Sequence, residues 1–260
     1  MGIEVIITVF VGFCIGTLSG LLGVGGGTIM VPVFRLGFGL SAVASTATSL
    51  FTIIPTSISG GIQHIRNKTC IPKLGFALGI GGACLSPVGV QLAQLSPSWL
   101  VMVAVACAIG YSSFTMLHKA IKAPKGNTND FELPAFERND LIKAVFIGAG
   151  VGLVSGYIGL GGGFLMIPLM VALLNLPMKV ASGTSLIAVM ILALPATIMQ
   201  CVLGNVDYMV GIAIACGSIP GALFGAWLVK YVPERTLRFI FSLFLGVAAI
   251  LIVVKELGVF

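Results

Sequence analysis

The sequence predicts an all-α integral membrane protein made of two inverted repeats. Each repeat has about five helical segments, one of them a broken helix. Three observations predict this. The 260-residue chain is 58% hydrophobic and only 8% charged, with a mean hydropathy of +1.13; a soluble domain carries about 25% charged residues. The chain echoes itself at a constant offset of 136 residues, the distance from Gly16 to Gly152. Its basic residues change sides between the two copies.

A helix needs about 20 residues to cross a hydrocarbon layer roughly 30 Å thick. Apolar runs fall at 3–22, 26–39, 42–63, 74–95 and 98–118, and again at 141–160, 162–175, 178–203, 208–230 and 235–256. The first run has no basic flank and no small-residue cleavage site, so it reads as a membrane helix rather than a cleaved signal. Runs 26–39 and 162–175 are short for a full crossing. Between the two sets lies a polar stretch, 119–140, with Pro124, Gly126, Asn127 and charges of both signs. It reads as an exposed connection, dividing the chain into a first membrane repeat at 1–118 and a second at 141–260.

The repeat is clearest at Gly16–Pro32 and Gly152–Pro168, reading GTLSGLLGVGGGTIMVP and GLVSGYIGLGGGFLMIP. The identical positions are Gly16, Ser19, Gly20, Gly23, Gly25, Gly26, Gly27, Met30 and Pro32, each with its copy 136 residues on. The same register aligns Thr48-Ser49-Leu50 with Thr184-Ser185-Leu186, and Pro97 with Pro233. Three consecutive glycines do not hold a helix against their entropy cost, so each copy breaks a helix within the membrane, where broken helices line a pathway.

Short cytoplasmic loops are enriched in Lys and Arg. Arg66, Lys68 and Lys73 follow the third run, but the equivalent loop at 204–208 has no basic residue. Lys230, Arg235 and Arg238 surround the loop whose counterpart, near Ser96, has none. The swap requires an odd number of crossings per half; a re-entrant broken run would instead give four crossings per half and a parallel repeat. With the linker inside, only Arg35 and Lys255 of the fourteen basic residues lie outside, and both termini face outward.

Three groups of residues are candidates for chemistry. The first is the pair of triplets, Gly25-Gly26-Gly27 and Gly161-Gly162-Gly163. A helix that starts after such a break has free N–H groups and a partial positive charge that favours an anion. Small residues also let helices pack closely, and that reading fits the fourth-residue spacing of Gly12, Gly16 and Gly20 and of Gly148, Gly152 and Gly156. The second group is hydroxyls early in the next long run: Ser45, Thr46, Thr48 and Ser49, with Ser182, Thr184 and Ser185. They could donate to an anion's oxygens, or bond back to their own helix. The third is Gln63 and His64, with Gln200 at the position equivalent to His64: a gate or polar pathway, or an interfacial histidine beside Arg66 and Lys68.

No acidic or basic residue lies deep in any run, so no buried carboxylate is available for a proton relay. Neither triplet has the pattern of a nucleotide loop, and no enzyme constellation, metal site or cofactor site is expected. Asp207 reads as a helix N-cap. The six cysteines lack metal or CxxC spacing; the five in apolar runs read as buried thiols. Nucleic acid is not expected as a partner, whereas a small anion, the lipid bilayer and a second copy of the chain are.

The doubled G-x-x-S-G-x-x-G-x-G-G-G-x-x-x-x-P, the following Thr-Ser-Leu and the Gly204-Asn205-Val206-Asp207-Tyr208 loop resemble the sulfite exporter TauE/SafE family of membrane permeases. The likeness spans both halves. It implies transport of a sulfur-containing anion, such as sulfite or sulfoacetate, across the plasma membrane, with the glycine motif at Gly23–Gly27 and Gly159–Gly163. The first-half loop departs from the pattern, reading Asn67-Lys68-Thr69-Cys70-Ile71. The expectation is a secondary transporter in which one unit rocks against the other, with Gly25, Gly26, Gly27, Thr48, Ser49, Gly161, Gly162, Gly163, Thr184 and Ser185 holding the anion. A passive channel for anions or small solutes is the alternative, and a signalling or scaffolding subunit a third class.

Overall fold

The computed structural model describes residues 2–122 and 138–256. Among them are ten helices: α1 (Gly2–Leu22), α2 (Gly27–Gly37), α3 (Ala42–Arg66), α4 (Pro72–Leu95), α5 (Ser98–Lys122), α6 (Arg138–Ile158), α7 (Gly163–Leu173), α8 (Met178–Val202), α9 (Tyr208–Leu228) and α10 (Glu234–Glu256). Every predicted apolar run is a helix. Helix also takes up both ends of the predicted linker, through Lys122 and from Arg138; the rest of that stretch lies outside the described residues.

The helix ends follow local chemistry. Ser41 caps α3 by accepting from the Ala44 N–H at 3.2 Å. Asp207 caps α9 as predicted, accepting from the Val210 N–H at 3.0 Å. The altered first-half loop keeps the turn of its counterpart. Lys68 sits at φ 57° where Gly204 sits at φ 69°, and the N–H groups of Thr69 and Asn205 return to the carbonyls of His64 and Gln200. Pro72, which needs no N–H partner, begins α4 where the first-half loop has no capping acid.

Among the described residues, five helices are long and apolar enough to cross a membrane: α3, α4, the Asp140–Ile158 part of α6, α8 and α9. At 11 residues each, α2 and α7 reach only about 16 Å at a rise of 1.5 Å per residue.

Packing joins the halves rather than separating them. Gly12, Gly16 and Gly20 of α1 face the backbone of Ile214, Ser218 and Ala222 of α9; a Cβ on any of them would lie 2.2–2.4 Å from a carbonyl oxygen. The equivalent seam in α6 sets Gly148, Gly152 and Gly156 against Leu78, Gly82 and Ser86 of α4, at 2.0–2.2 Å. Residue numbers rise together in both seams, so each pair runs parallel. By contrast α3 and α8 run antiparallel, with Gly60 against Leu186 and Gly183 against His64. The two seams are thus mates with the halves exchanged.

The cysteines correct an expectation. Cys14, Cys84, Cys107 and Cys216 are exposed and Cys201 is half-buried, while Cys70, outside the apolar runs, is the buried one. A membrane helix is apolar on its outer face too, so an apolar neighbourhood in sequence does not mean an interior position. Burial pushes the Cys70 thiol up to about 11, which leaves it protonated at neutral pH.

Candidate functional site

Each break is made by three glycines in the left-handed region. Gly23, Gly25 and Gly26 have φ of 76°, 80° and 89°, and Gly159, Gly161 and Gly162 have 76°, 77° and 73°. Other residues pay a steric cost there that glycine avoids. The predicted break is present in each half, and the left-handed run makes it a reversal. Gly26 lies against Ile15 and Ser19 of α1, and Val11 of α1 shares an apolar groove with Ile29 and Pro32 of α2. So α2 folds back along α1.

The two reversals meet. A Cβ on Gly27 would lie 2.5 Å from the Leu160 carbonyl oxygen, and one on Gly163 would lie 2.7 Å from that of Val24. Gly25 and Gly161 both sit against Ile53 and Val189, which lie near the middle of α3 and α8. The starts of α2 and α7 are thus adjacent and deep inside the molecule. Neither has an acidic residue in its first turn nor a side-chain cap. Among the described residues, no acceptor takes the N–H of Gly27, Thr28, Gly163 or Phe164.

The hydroxyl candidates are all already bonded. Ser49 donates to the Gly159 carbonyl at 2.8 Å, and its mate Ser185 donates to the Gly23 carbonyl at 2.6 Å. Each thereby pins the first glycine of the other half's reversal. Thr48 accepts from the Asp207 N–H at 2.9 Å and Thr184 from the Ile71 N–H at 3.0 Å. Ser45, Thr46 and Ser182 bond to nearby carbonyls in or beside their own helix.

His64 is fully buried. Its Nε2 lies 2.9 Å from the Gly20 carbonyl, so that nitrogen donates, and Nδ1 meets the Thr69 hydroxyl at 2.8 Å. Gln63 donates to Asn67. Gln200, the counterpart of His64, accepts from Asn205 at 2.8 Å. His64 and Gln200 stand at opposite ends of the antiparallel pair α3 and α8.

The sequence did not single out Ser19, Ser57 and Ser155. All three are at most 1% exposed, and their hydroxyls have no hydrogen-bond partner. Ser57 and Ser155 oxygens lie 3.3 and 3.2 Å from where a Cβ would stand on Gly25 and Gly162, and the Ser19 Cβ is 3.5 Å from that point on Gly26. A signal existed, because Ser19 and Ser155 are an identical pair inside the repeated motif. Leaving a buried hydroxyl unpaired costs about 1–3 kcal/mol, and these three lie beside free helix N-termini. Among the described residues no group of three or more His, Cys, Asp or Glu is placed to hold a metal ion.

A cavity of about 160 Å³ opens at one end of the molecule, where α3 starts and α4 and α8 end. Thr46, Gln94, Ser96, Gly156, Tyr157 and Gln200 line it. Thr46 packs on Gly159, at the start of the second reversal.

The duplicated glycine reversals coincide with a family match. The sequence matches the family described as Sulfite exporter TauE/SafE over residues 8–252. The chain belongs to the TauE/SafE family. Relatives of this TauE/SafE protein include the probable membrane transporter YunE of Bacillus subtilis, 27% identical with 92% of this chain and 94% of that protein covered. YdhB of the same organism, also a probable membrane transporter, is 28% identical over 94% and 98%. A probable membrane transporter of Methanocaldococcus jannaschii, MJ0441, is 24% identical over 92% and 91%. No solved structure matches. All three of these relatives are named as probable membrane transporters.

Proposed function

We propose that the protein is a secondary transporter that moves a small anion of the sulfite or organosulfonate class across the plasma membrane by alternating access. One observation carries the reading. The starts of α2 and α7 meet at the molecular centre beside the unpartnered hydroxyls of Ser19, Ser57 and Ser155. Amide and hydroxyl donors without a fixed cation suit an anion that must be bound and then released. Thr48, Ser49, Thr184 and Ser185 hold the backbone around that place, and the glycines Gly25–Gly27 and Gly161–Gly163 let the cargo approach the chain. Supporting an inverted arrangement are the antiparallel course of α3 and α8, which are equivalents in the repeat, and the swap of basic loops. The linker is then cytoplasmic and both termini are outside.

The test is binding to purified protein. Sulfite, sulfoacetate, thiosulfate and small carboxylates are titrated, and Gly26→Leu and Gly162→Leu are expected to abolish the binding found, with the monodispersity of each variant checked because both positions are left-handed. Unchanged binding in both variants removes the reversals from the site. Saturable flux with counterflow supports a carrier; linear flux supports a passive channel instead.

A further inference from the structure

The two reversals are alike in backbone but not in the side chains around them. Ser19 and Ser155 are an equivalent pair, and both hydroxyls are buried without a partner. Two further positions break the likeness. Thr28 stands in the first turn of α2, and Ser57 stands one turn beyond Ile53 on α3. Both are at most 1% exposed, and neither hydroxyl has a hydrogen-bond partner. The Ser57 oxygen lies 3.3 Å from where a Cβ would stand on Gly25. At the offset of 136, Thr28 becomes Phe164 and Ser57 becomes Ala193. These two are 0% exposed, and neither side chain carries a donor. Among the described residues, two other buried hydroxyls lack partners, on Ser112 and Thr197. Neither is among the nearest atoms to a reversal glycine. Thr197 stands eight residues beyond Val189, about 12 Å along α8.

The centre therefore has a donor-rich flank from the first half and a donor-poor flank from the second. Free N–H groups at the starts of α2 and α7 draw negative charge from both halves. Only the hydroxyls tell the flanks apart. Donors on one side and apolar groups on the other fix the orientation of a ligand that is charged at one end only. An oxyanion without carbon gains nothing from the apolar flank. We infer that the central site takes a short-chain organic sulfonate in one orientation. Its charged head rests on the first reversal against Ser57 and Thr28, within reach of Ser19 and Ser155. Its carbon end lies toward Phe164 and Ala193. Ser57 and Thr28 thereby select for charge, and Phe164 and Ala193 select for carbon. This inference rests on the transporter reading and names the cargo class and its orientation in that same site.

The experiment titrates the purified full chain with sulfite, methanesulfonate, ethanesulfonate and propane-1-sulfonate. Affinity is expected to rise about fourfold with each methylene buried, and sulfite is expected to bind more weakly than propane-1-sulfonate. Ser57→Ala removes a buried hydroxyl that has no partner, so the empty protein is expected to fold. Its affinity for ethanesulfonate is expected to fall by about tenfold or more, as a hydrogen bond to a charged group is lost. The double variant Ser57→Ala with Ala193→Ser moves the hydroxyl to the opposite flank, and is expected to bind as weakly. Thr28→Val keeps the shape of its side chain and gives a second reading if a variant at 57 or 193 elutes as aggregate. Flat or falling affinity along the sulfonate series overturns the inference. So does recovered affinity in the double variant, or unchanged affinity in Ser57→Ala or in Thr28→Val. An unmodified protein that binds none of the four anions overturns the transporter reading itself.

Discussion

Ser155 shows what a single residue decides in this molecule. Its hydroxyl is buried beside Gly162 with nothing to bond. Ser155→Ala therefore removes a cost from the empty protein and a donor from the occupied one. A hydrogen bond to a charged ligand is worth roughly 1.5–3 kcal/mol. Expected is an affinity for the bound anion weaker by about tenfold or more, with thermal stability of the empty protein unchanged or higher. A fall in stability with unchanged affinity would make the residue structural. At this scale the sequence was half legible. Repetition marked the glycines, the Thr-Ser pairs and Ser19 with Ser155. It did not separate hydroxyls that bond to the backbone from those left over, because that depends on which carbonyl of the other half lies opposite. Ser49 and Ser185 became fasteners of the reversals only when Gly159 and Gly23 arrived beside them.

Among elements, the seams and the reversals do separate work, and their glycines respond differently to substitution. A Cβ on Gly152 would lie 2.2 Å from the Gly82 carbonyl oxygen, against backbone that has no rotamer to change. Gly150, two residues away on the same helix, has nothing within 4 Å. Gly152→Ala is expected to destabilise the protein by about 1–3 kcal/mol through forced separation of α4 and α6. Gly150→Ala is expected to be neutral or to stabilise by up to about 1 kcal/mol through helix propensity. Thermal unfolding of the two variants side by side checks this, and equal effects would refute the seam. The sequence revealed the helices and both seams, since apolar length and fourth-residue spacing are properties of one segment. The direction of the chain after each triplet was not legible. Glycine permits either a kink or a reversal, and only the position of Ile15 and Ser19 against Gly26 distinguishes them.

At the scale of the whole molecule, the halves are built into one another. The first helix of each half packs on the fourth helix of the other, through α1 with α9 and α6 with α4. Neither half has its own closed core, so segments 1–130 and 131–260 expressed separately are expected to aggregate. Expressed together they are expected to assemble and bind anion as the intact chain does. A monodisperse, helical first half alone would contradict this. The exchange of partners was not legible in the sequence, which shows that the halves are alike but not which surfaces they share.

The seams also constrain how such a protein could move. Where α1 meets α9, backbone rests on backbone at successive turns, and the pair has no cushion of side chains to shear across. The same holds for α4 and α6. Sliding either pair would drive carbonyl oxygens into Cα atoms, so each travels as one stiff plank. Each plank joins a helix of the first half to a helix of the second. If the protein works by tilting one piece past another, the hinge lies across the ancestral duplication, not along it.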